Sequence, residues 1–367
     1  MSTLASSNPT EPADAQTADV PAADTADRPA FGPDADLRTP CGITLFANPY
    51  SGSGPNRQWV QQFADRLGEA GLPPQIVWDA SNRRDTLRRC AETLRSDASP
   101  PWVIAAGGDG SVAAVLNDMA AVGVAPWPFA TLPVGNENLF ARHFGIDRKK
   151  PDRLIDALLR GWTRPVDLGR LTVDGDDASP LRFTLMASVG FDADVVHRVD
   201  RWRTNTPAEG QIRRVSLKNY LPRMAGALRE YAYPPVTLTP TDGDHAGQPL
   251  SGRHAFVFNL PEYGKDLGLC RHARADDGML DFVVFTRPGR VRLLNYLAAA
   301  AMNGRHLRRP DVIHGRASRL TLAADSEDHG SPVPLQADGD PAGHVRSGAP
   351  VTITAEPAAL RVVQTTA

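Results

Sequence analysis

A glycine-rich turn between an apolar run and a helical pattern constrains the fold of this chain more than any other stretch. Residues 102–106 are apolar and predict a buried strand, and residues 112–119 repeat apolar side chains at helical spacing. Between them lies Gly107-Gly-Asp-Gly-Ser111. Glycines let the backbone approach an anion closely, and the first amides of a helix point at it. The stretch therefore predicts a phosphate-binding turn, with a tight turn capped by Asp109 as the alternative.

A phosphate site needs hydrogen-bond donors that offset the charge of the phosphate. Amides and a hydroxyl for that purpose are predicted at Gly107, Gly108, Gly110 and Ser111, with a second backbone approach at Gly135 and Asn136. Asp109 is the exception in this set, because a carboxylate among phosphates needs a metal ion or a reacting proton beside it. We therefore expect Asp109 to take a catalytic role.

Strands and helices alternate from about residue 42 to residue 163, which predicts a parallel α/β sheet with helices on both faces. Turns that contain glycine lie at residues 48–54, 107–111 and 133–138, each after a predicted strand. Ligands of such sheets bind at the carboxyl ends of the strands. The three turns should therefore cluster at one edge of the sheet.

The pattern changes after Thr163-Arg-Pro165, where short alternating runs separated by turn residues predict an all-β sandwich or barrel. Helical insertions are expected near residues 217–231 and 291–307. Residues 1–37 are rich in Ala, Asp, Thr and Pro, a composition typical of a disordered tail. The predicted domains are therefore this tail, an α/β domain over residues 38–163 and a β domain over residues 164–367.

Composition excludes several classes of protein. The chain has 367 residues, which allow two domains, and its net charge of −2 gives no general attraction to nucleic acid. Its three cysteines are scattered and indicate a reducing compartment rather than a disulfide framework. No apolar run approaches the ~20 residues that span a bilayer, and the amino terminus lacks a secretory pattern. We expect a cytoplasmic protein without a nucleic-acid partner.

Five blocks in order resemble the signatures of the diacylglycerol kinase catalytic-domain family, which includes bacterial lipid kinases and sphingoid-base kinases. Gly107-Gly-Asp-Gly-Ser111 is similar to the GGDGT/S turn of that family. The other blocks are Asn48-Pro-Tyr-Ser-Gly-Ser-Gly54, Leu132-Pro-Val-Gly-Asn-Glu-Asn-Leu-Phe-Ala-Arg142, Asp276-Asp-Gly-Met-Leu-Asp281 and Asp338-Gly-Asp340. The likeness covers roughly residues 40 to 365.

The resemblance implies an NAD-kinase-like α/β nucleotide-binding domain followed by a β-sandwich domain, with the active site in the cleft between them. It implies an ATP-dependent and Mg²⁺-dependent kinase that phosphorylates a lipid hydroxyl, on a diacylglycerol-like or sphingoid-like substrate. The residues that it places against ATP are Asn48, Gly107, Gly108, Asp109, Gly110, Ser111, Gly135, Asn136 and Asn138.

The resemblance also assigns roles to acidic residues of the second half. Asp340 stands where the family has a glutamate base, and it reaches one methylene less far. From the residues alone, Asp-Gly predicts only a β-turn there. Asp338 would shape that turn or hold a metal-bound water. Asp192, in a block similar to the GxGxDA pattern of the family, lines the cleft or simply ends a strand.

Two magnesium ions are implied. A structural Mg²⁺ would be held by the carboxylate of Asp277 and by the backbone carbonyls of Arg274 and Met279, since hard oxygen ligands suit this ion. A separate catalytic Mg²⁺ would arrive with ATP and lie near Asp109. Alone, Asp277-Gly278 indicates a turn.

A lipid kinase must meet its substrate at a membrane surface. Residues 197–229 interleave basic and apolar side chains, which suits peripheral contact with an anionic membrane, and a solvated helical insertion is the alternative. The sequence leaves open whether the protein forms a homodimer. Two rival functions stay open as well, an NAD kinase and a nucleotide- or lipid-binding regulator without catalysis. The second rival rests on Ala113-Ala114, which replace an Asn-Glu pair of the family, and on Asp340.

Overall fold

The computed structural model describes residues 41–49, 51, 56–95, 98–173, 180–205, 217–264, 267–324 and 332–365. The predicted disordered tail lies outside the described residues. So do residues 50 and 52–54 of the first predicted glycine turn, and Arg213 and Arg214 of the basic stretch.

The first half of the chain is an α/β unit, as predicted. Its strands are β1 (Ile43–Ala47), β2 (Pro74–Val77), β3 (Trp102–Gly107) and β4 (Pro128–Pro133). Its helices are α1 (Asn56–Glu69), α2 (Arg83–Thr93), α3 (Asp109–Val122), α4 (Leu139–His143) and α5 (Pro151–Arg160). The strands pair in parallel in the order β2-β1-β3-β4. Every residue of β1, β3 and β4 is buried, because helices cover both faces of the sheet.

Helix α2 begins at Arg83, directly after a short 3₁₀ turn. The Asp79 side chain accepts a hydrogen bond from the Ser81 amide and caps a short 3₁₀ turn. This turn leads directly into the helix at Arg83. The helix first meets the core at Thr86 and Leu87.

The second half of the chain is predominantly β. Its strands are β5 (Thr163–Val173), β6 (Leu181–Phe183), β7 (Met186–Val189), β8 (Val236–Pro240), β9 (Leu250–Gly252), β10 (His254–Phe258), β11 (Leu280–Phe285), β12 (Val312–Ala317), β13 (Arg319–Ala324), β14 (Val333–Ala337), β15 (Asp340–Val345) and β16 (Val351–Val363). Its helices are α6 (Phe191–Thr204), α7 (Leu217–Glu230) and α8 (Arg290–Ala301). None of the helices in the described ranges is both long and apolar enough to cross a bilayer.

Two sheets form the predicted sandwich. One is antiparallel, in the order β12-β11-β10-β7-β14-β15, and it packs on β5, β8, β13 and β16 through buried residues such as Val257, Phe282, Leu320 and Ile353. Its opposite face, which includes Phe256 and Phe285, is covered by buried side chains of α6, α7 and α8. These helices therefore lie outside the sandwich.

Strand β16 joins the two halves. Its first residues pair antiparallel with β13 and β5, and a register shift follows between Glu356 and Leu360. Arg361 and Val362 then pair in parallel with β4. The main sheet is consequently continuous from the α/β unit into the sandwich, a connection that the sequence pattern does not reveal. The predicted domain bounds remain a prediction.

Candidate active site

Two glycine turns lie against each other at the carboxyl ends of β3 and β4. The Val134 amide donates to the Gly107 carbonyl at 3.1 Å. A Cβ built on Gly135 would lie 2.4 Å from the Gly108 Cα, and one on Gly107 would lie 2.2 Å from the Ser111 Cβ. Neither position accepts a side chain. The glycines were predicted to let the backbone approach an anion. In the structure they also let the backbones of the two glycine turns approach each other.

The hydroxyl of Ser111 connects this pair of turns to the end of β1. Asn48 Nδ2 donates to Ser111 Oγ at 3.1 Å, and Ser51 Oγ lies 3.2 Å from the same oxygen. The described part of the first predicted turn and the second turn thus meet at one edge of the sheet, as expected. The hydrogen bond of Ser51 was not predicted, because a serine in a flexible turn carries no pairing signal.

Asp109 caps a helix, but not the one that it begins. Helix α3 starts at Asp109 with Gly108 as its N-cap and has no side-chain cap. The Asp109 carboxylate accepts instead from the Phe140 amide at 3.0 Å, at the start of α4. Burial raises the pKa of Asp109, while hydrogen bonds from backbone amides, Phe140 first, lower it. The carboxylate therefore ties α4 to the glycine turn.

Asn138 fixes the second glycine turn by hydrogen bonds to the backbone of Gly135. Its backbone is in the left-handed region, with a φ of 51°. Its Oδ1 accepts from the Gly135 amide at 3.0 Å, and its Nδ2 donates to the Gly135 carbonyl at 2.9 Å. Asn136 lies exposed in this turn. Asp109 and Asn138 together hold the two glycine turns in register.

The Asp338-Gly339-Asp340 turn joins β14 to β15, with positive φ values of 50° at Asp338 and 84° at Gly339. The Asp338 carboxylate is buried and accepts four hydrogen bonds from Thr184, Leu185 and Met186, at 2.6–3.1 Å. Burial raises the pKa of Asp338 to about 6, and these donors oppose the shift. Of its two predicted roles, Asp338 shapes the turn.

Asp340 extends from this turn to the glycine turn of the first half. A Cβ built on Gly110 would lie 3.0 Å from Asp340 Oδ2. Arg203 Nη2 lies 3.5 Å from Asp340 Oδ1, and the Asp340 side chain keeps 45% of its surface exposed. Partial burial raises the pKa of Asp340, Arg203 lowers it, and nearby Asp200 raises it. The sandwich thus places a carboxylate with a raised pKa beside the predicted phosphate site.

A buried network that the sequence did not predict supports the Asp340 turn. Gln336 Oε1 accepts from the Gly339 amide at 2.9 Å, and Gln336 Nε2 donates to Asp192 Oδ2 at 2.9 Å. Tyr263 donates to the other oxygen of Asp192, and Ser188 lies 2.8 Å from Gln336 Nε2. Burial raises the pKa of Asp192. One feature of the sequence could have indicated a role for Gln336, which is a polar residue inside an otherwise apolar strand.

The residues predicted to hold a structural Mg²⁺ lie in a turn where the Asp277 carboxylate already has protein partners. Asp277 Oδ1 accepts from the Met279 amide at 3.1 Å, and the Arg316 guanidinium forms an ion pair with Asp277 Oδ2. Arg274 pairs with Asp276 at 3.1 Å. Within the described ranges, no three His, Cys, Asp or Glu side chains converge as a metal site. A cation at Asp277 would need Arg316 to move, so this magnesium site remains a prediction.

Family models match both halves of the chain. Residues 42–171 match the family model "Diacylglycerol kinase catalytic domain", and residues 186–364 match "YegS C-terminal NAD kinase beta sandwich-like domain". A diacylglycerol kinase of Mycobacterium tuberculosis is 29% identical over 324 residues, which are 88% of this chain and 94% of the relative. One of Bacillus subtilis is 25% identical over 285 residues, 76% of this chain and 84% of the relative.

A solved structure shares the fold. The crystal structure of a diacylglycerol kinase from Bacillus anthracis superposes with a TM-score of 0.57 at 15% identity. The match covers 88% of this chain and 96% of the other. At that identity the likeness supports the order of an α/β unit followed by a β-sandwich, and no residue role.

Proposed function

Because this chain belongs to the diacylglycerol kinase catalytic-domain family and is a lipid kinase, we propose that it transfers the γ-phosphoryl group of ATP to a diacylglycerol hydroxyl. The relatives that match most of its length are diacylglycerol kinases, which favours this lipid over a sphingoid base. The transfer would take place at the surface of the membrane that carries the lipid.

The observation that carries the proposal is the position of Asp340 beside Gly110. Phosphates bound at the glycine turn would be within reach of a hydroxyl whose proton Asp340 accepts. A general base needs its carboxylate ionised and close to the proton. Partial burial raises the pKa of Asp340 and makes the carboxylate a better proton acceptor, while Arg203 lowers this pKa.

The first half of the chain supplies the binding of ATP. The amides of residues 107–111 and the Ser111 hydroxyl would hold phosphate oxygens, as amides at the start of a helix do. Asp109 lies at the start of α3, next to Gly110, and would hold the Mg²⁺ that accompanies ATP. When bound, that ion neutralises phosphate charge during transfer.

Kinetics with radiolabelled ATP test the proposal. The parent protein should label dioctanoylglycerol in mixed micelles with Mg²⁺, and should label sphingosine and NAD much less. Asp340→Asn should lower kcat by roughly 10²–10⁴-fold with ATP affinity nearly intact, because only proton acceptance is lost. Asp340→Glu should keep or raise kcat. Asp109→Asn should weaken both Mg²⁺–ATP binding and turnover.

Asp156→Asn is the matched control, since Asp156 is an exposed carboxylate on α5. It should behave like the parent. If Asp340→Asn turns over like the parent, Asp340 is not the base. If the parent binds ATP and lipid but labels no acceptor, the regulator is the better account.

A further inference from the structure

Helix α8 presents an apolar stripe away from the protein. Its inner face is buried through Leu293, Tyr296 and Ala300. Its outer face carries Val291, Leu294 and, at the C-cap, Met302, which are 73%, 49% and 53% exposed. These three are most of the five large apolar side chains that are exposed in the described residues. Their spacing places them along one side of the helix, so they form a single surface.

The stripe lies in the most basic segment of the second half. Residues 286–310 contain six arginines and no acidic residue. Arg292 and Arg309 pair with Asp311 at 3.0 and 3.1 Å. The other four arginines, Arg287, Arg290, Arg305 and Arg308, are exposed. Together with Val291, Leu294 and Met302 they define what we name the α8 face.

The α8 face is held rigidly. Tyr296 stacks on Phe285 of β11 with ring centroids 4.4 Å apart. The Gly289 amide, at the start of α8, donates to the Tyr231 hydroxyl at 3.2 Å, which joins α8 to the end of α7. The apolar stripe therefore cannot turn inward without breaking the packing of α8 on the sheet.

The basic stretch at residues 197–229 is less suited to this role, because several of its arginines are used inside the fold. Arg198 pairs with Asp194 and Glu230, and Arg203 with Asp200. Arg223 stacks over the ring of Trp202, 4.5 Å from its centroid. Among the described residues, the α8 face therefore has more exposed arginines without an ion-pair partner than α6 and α7 have.

We propose that the α8 face docks the protein on an anionic phospholipid bilayer. Exposed arginines are attracted to acidic headgroups, and apolar tips enter the boundary between headgroups and acyl chains. A second copy of the chain fits less well, since pairing two α8 faces would oppose arginine to arginine. The inference rests on the proposed function only in that a lipid kinase has to reach a membrane, because the surface itself contains no catalytic residue.

Vesicle sedimentation with the full chain tests the proposal. Vesicles of phosphatidylcholine with 30% phosphatidylglycerol should bind the parent, pure phosphatidylcholine vesicles should bind it weakly, and added salt should weaken binding. The double charge reversal Arg290→Glu/Arg308→Glu should lower vesicle binding by at least about 25-fold, at about fivefold for each arginine. Val291→Ser/Leu294→Ser should also lower it, at any salt concentration.

Matched controls have the same chemistry elsewhere. Lys149→Glu/Lys150→Glu reverses two exposed charges, and Leu159→Ser removes an exposed leucine on α5. Both should bind vesicles within about twofold of the parent, which is the range of ordinary surface changes. Phosphorylation of dihexanoylglycerol, which dissolves as monomers, should be equal in all variants. This separates docking from catalysis.

Three results would overturn the proposal. The α8 variants could bind vesicles as well as the parent, or the parent could bind neutral and anionic vesicles equally. The variants could instead lose a concentration-dependent dimer in light scattering, which would make a second copy the occupant. If no lipid is phosphorylated but anionic vesicles still bind through α8, the proposed function fails and the docking surface stands.

Discussion

Asp340 and Gly110 meet across the two halves of the chain, with Asp340 Oδ2 3.0 Å from the position that a Cβ on Gly110 would occupy. Gly110 lies in the first turn of α3, and Asp340 lies at the start of β15. The absence of a side chain at Gly110 is therefore what leaves room for the carboxylate. Two motifs that are far apart in the sequence lie side by side through this contact.

Adding a methyl group at this contact should impair catalysis. In Gly110→Ala, the new Cβ would press on Asp340 and move its carboxylate, and a misplacement of about 1 Å at a reacting group costs about 10²-fold in rate. We expect kcat to fall by up to about that factor while the fold remains intact. Steady-state kinetics and a thermal melt measure both effects. Gly68→Ala, where a Cβ meets nothing within 4 Å, is the control. Parent-like turnover of Gly110→Ala would show that Asp340 acts from another position.

The pH dependence of the reaction should report on Arg203. A base works only when ionised, so kcat/KM should fall as the pH drops through the pKa of Asp340. Partial burial raises this pKa and Arg203 lowers it. Removing the cation in Arg203→Ala should raise the pKa further, so the acid limb of the kcat/KM profile should move to higher pH.

The control for this profile is Arg201→Ala, which removes the same charge from an exposed position on α6. Its acid limb should stay where the parent has it. A limb that moves to lower pH in Arg203→Ala, or moves equally in both variants, would mean that the limb belongs to another group.

Local sequence patterns predicted the secondary structure that depends on neighbouring residues alone. The expected strand at residues 102–106 agrees with β3, which starts at Trp102, while α3 starts at Asp109, three residues before the predicted apolar repeat at residues 112–119. Apolar spacing, glycine and helix periodicity all belong to one stretch there, so no distant contact is needed. The resemblance added the pairing of the glycine turn with Asp340, which composition and spacing do not contain.

Contacts between distant segments could not be predicted from the sequence. Gln336, Tyr263 and Asp192 come together from β14, a loop and α6, and each alone indicates only a polar residue. The parallel pairing of Arg361 with Pro128 depends on the register shift in β16. Register and burial of this kind depend on tertiary packing, which periodicity does not report.

Asp338 should contribute more to stability than to catalysis. Asp338→Asn would replace one acceptor oxygen with an amide NH₂ that faces backbone donors, at a cost of about 2–4 kcal/mol in the free energy of unfolding. Urea unfolding measures the loss. The exposed Asp152→Asn should change stability by less than about 0.5 kcal/mol.

The same variant gives a pH test with a definite sign. Burial raises the pKa of Asp338 to about 6, above the value of about 3.9 for an unfolded aspartate. The folded state therefore binds the proton more tightly, so the stability from this group is complete below pH 4 and is lost as the pH rises through 6. The gap in unfolding free energy between the parent and Asp338→Asn should narrow over that range. A gap that widens would show that the four donors dominate over burial.

Arg316 should take the place of a structural Mg²⁺ at the Asp277 turn. Its guanidinium pairs with Asp277 and lies 3.7 Å from the buried Asp281, whose pKa is about 6 because burial raises it and Arg316 lowers it. With this cation in place, the turn has little need of a metal ion. We expect the melting temperature of the parent to be the same in MgCl₂ and in EDTA.

Removing the guanidinium should create the need for a metal ion. Arg316→Gln leaves Asp277 and Asp281 without their cation, so the pKa of Asp281 should rise further and the protein should lose about 1 kcal/mol, or roughly 2–4 °C in melting temperature. Because hard carboxylate and carbonyl oxygens would then be open to it, Mg²⁺ should restore part of this loss.

Differential scanning fluorimetry of the parent, Arg316→Gln and Asp277→Asn/Arg316→Gln measures the effect. The double variant should gain nothing from Mg²⁺, and Arg319→Gln, an exposed arginine on the next strand, should melt like the parent. A parent protein that is stabilised by several degrees in MgCl₂ would show that the ion displaces Arg316, and that Asp277 with the carbonyls of Arg274 and Met279 binds it.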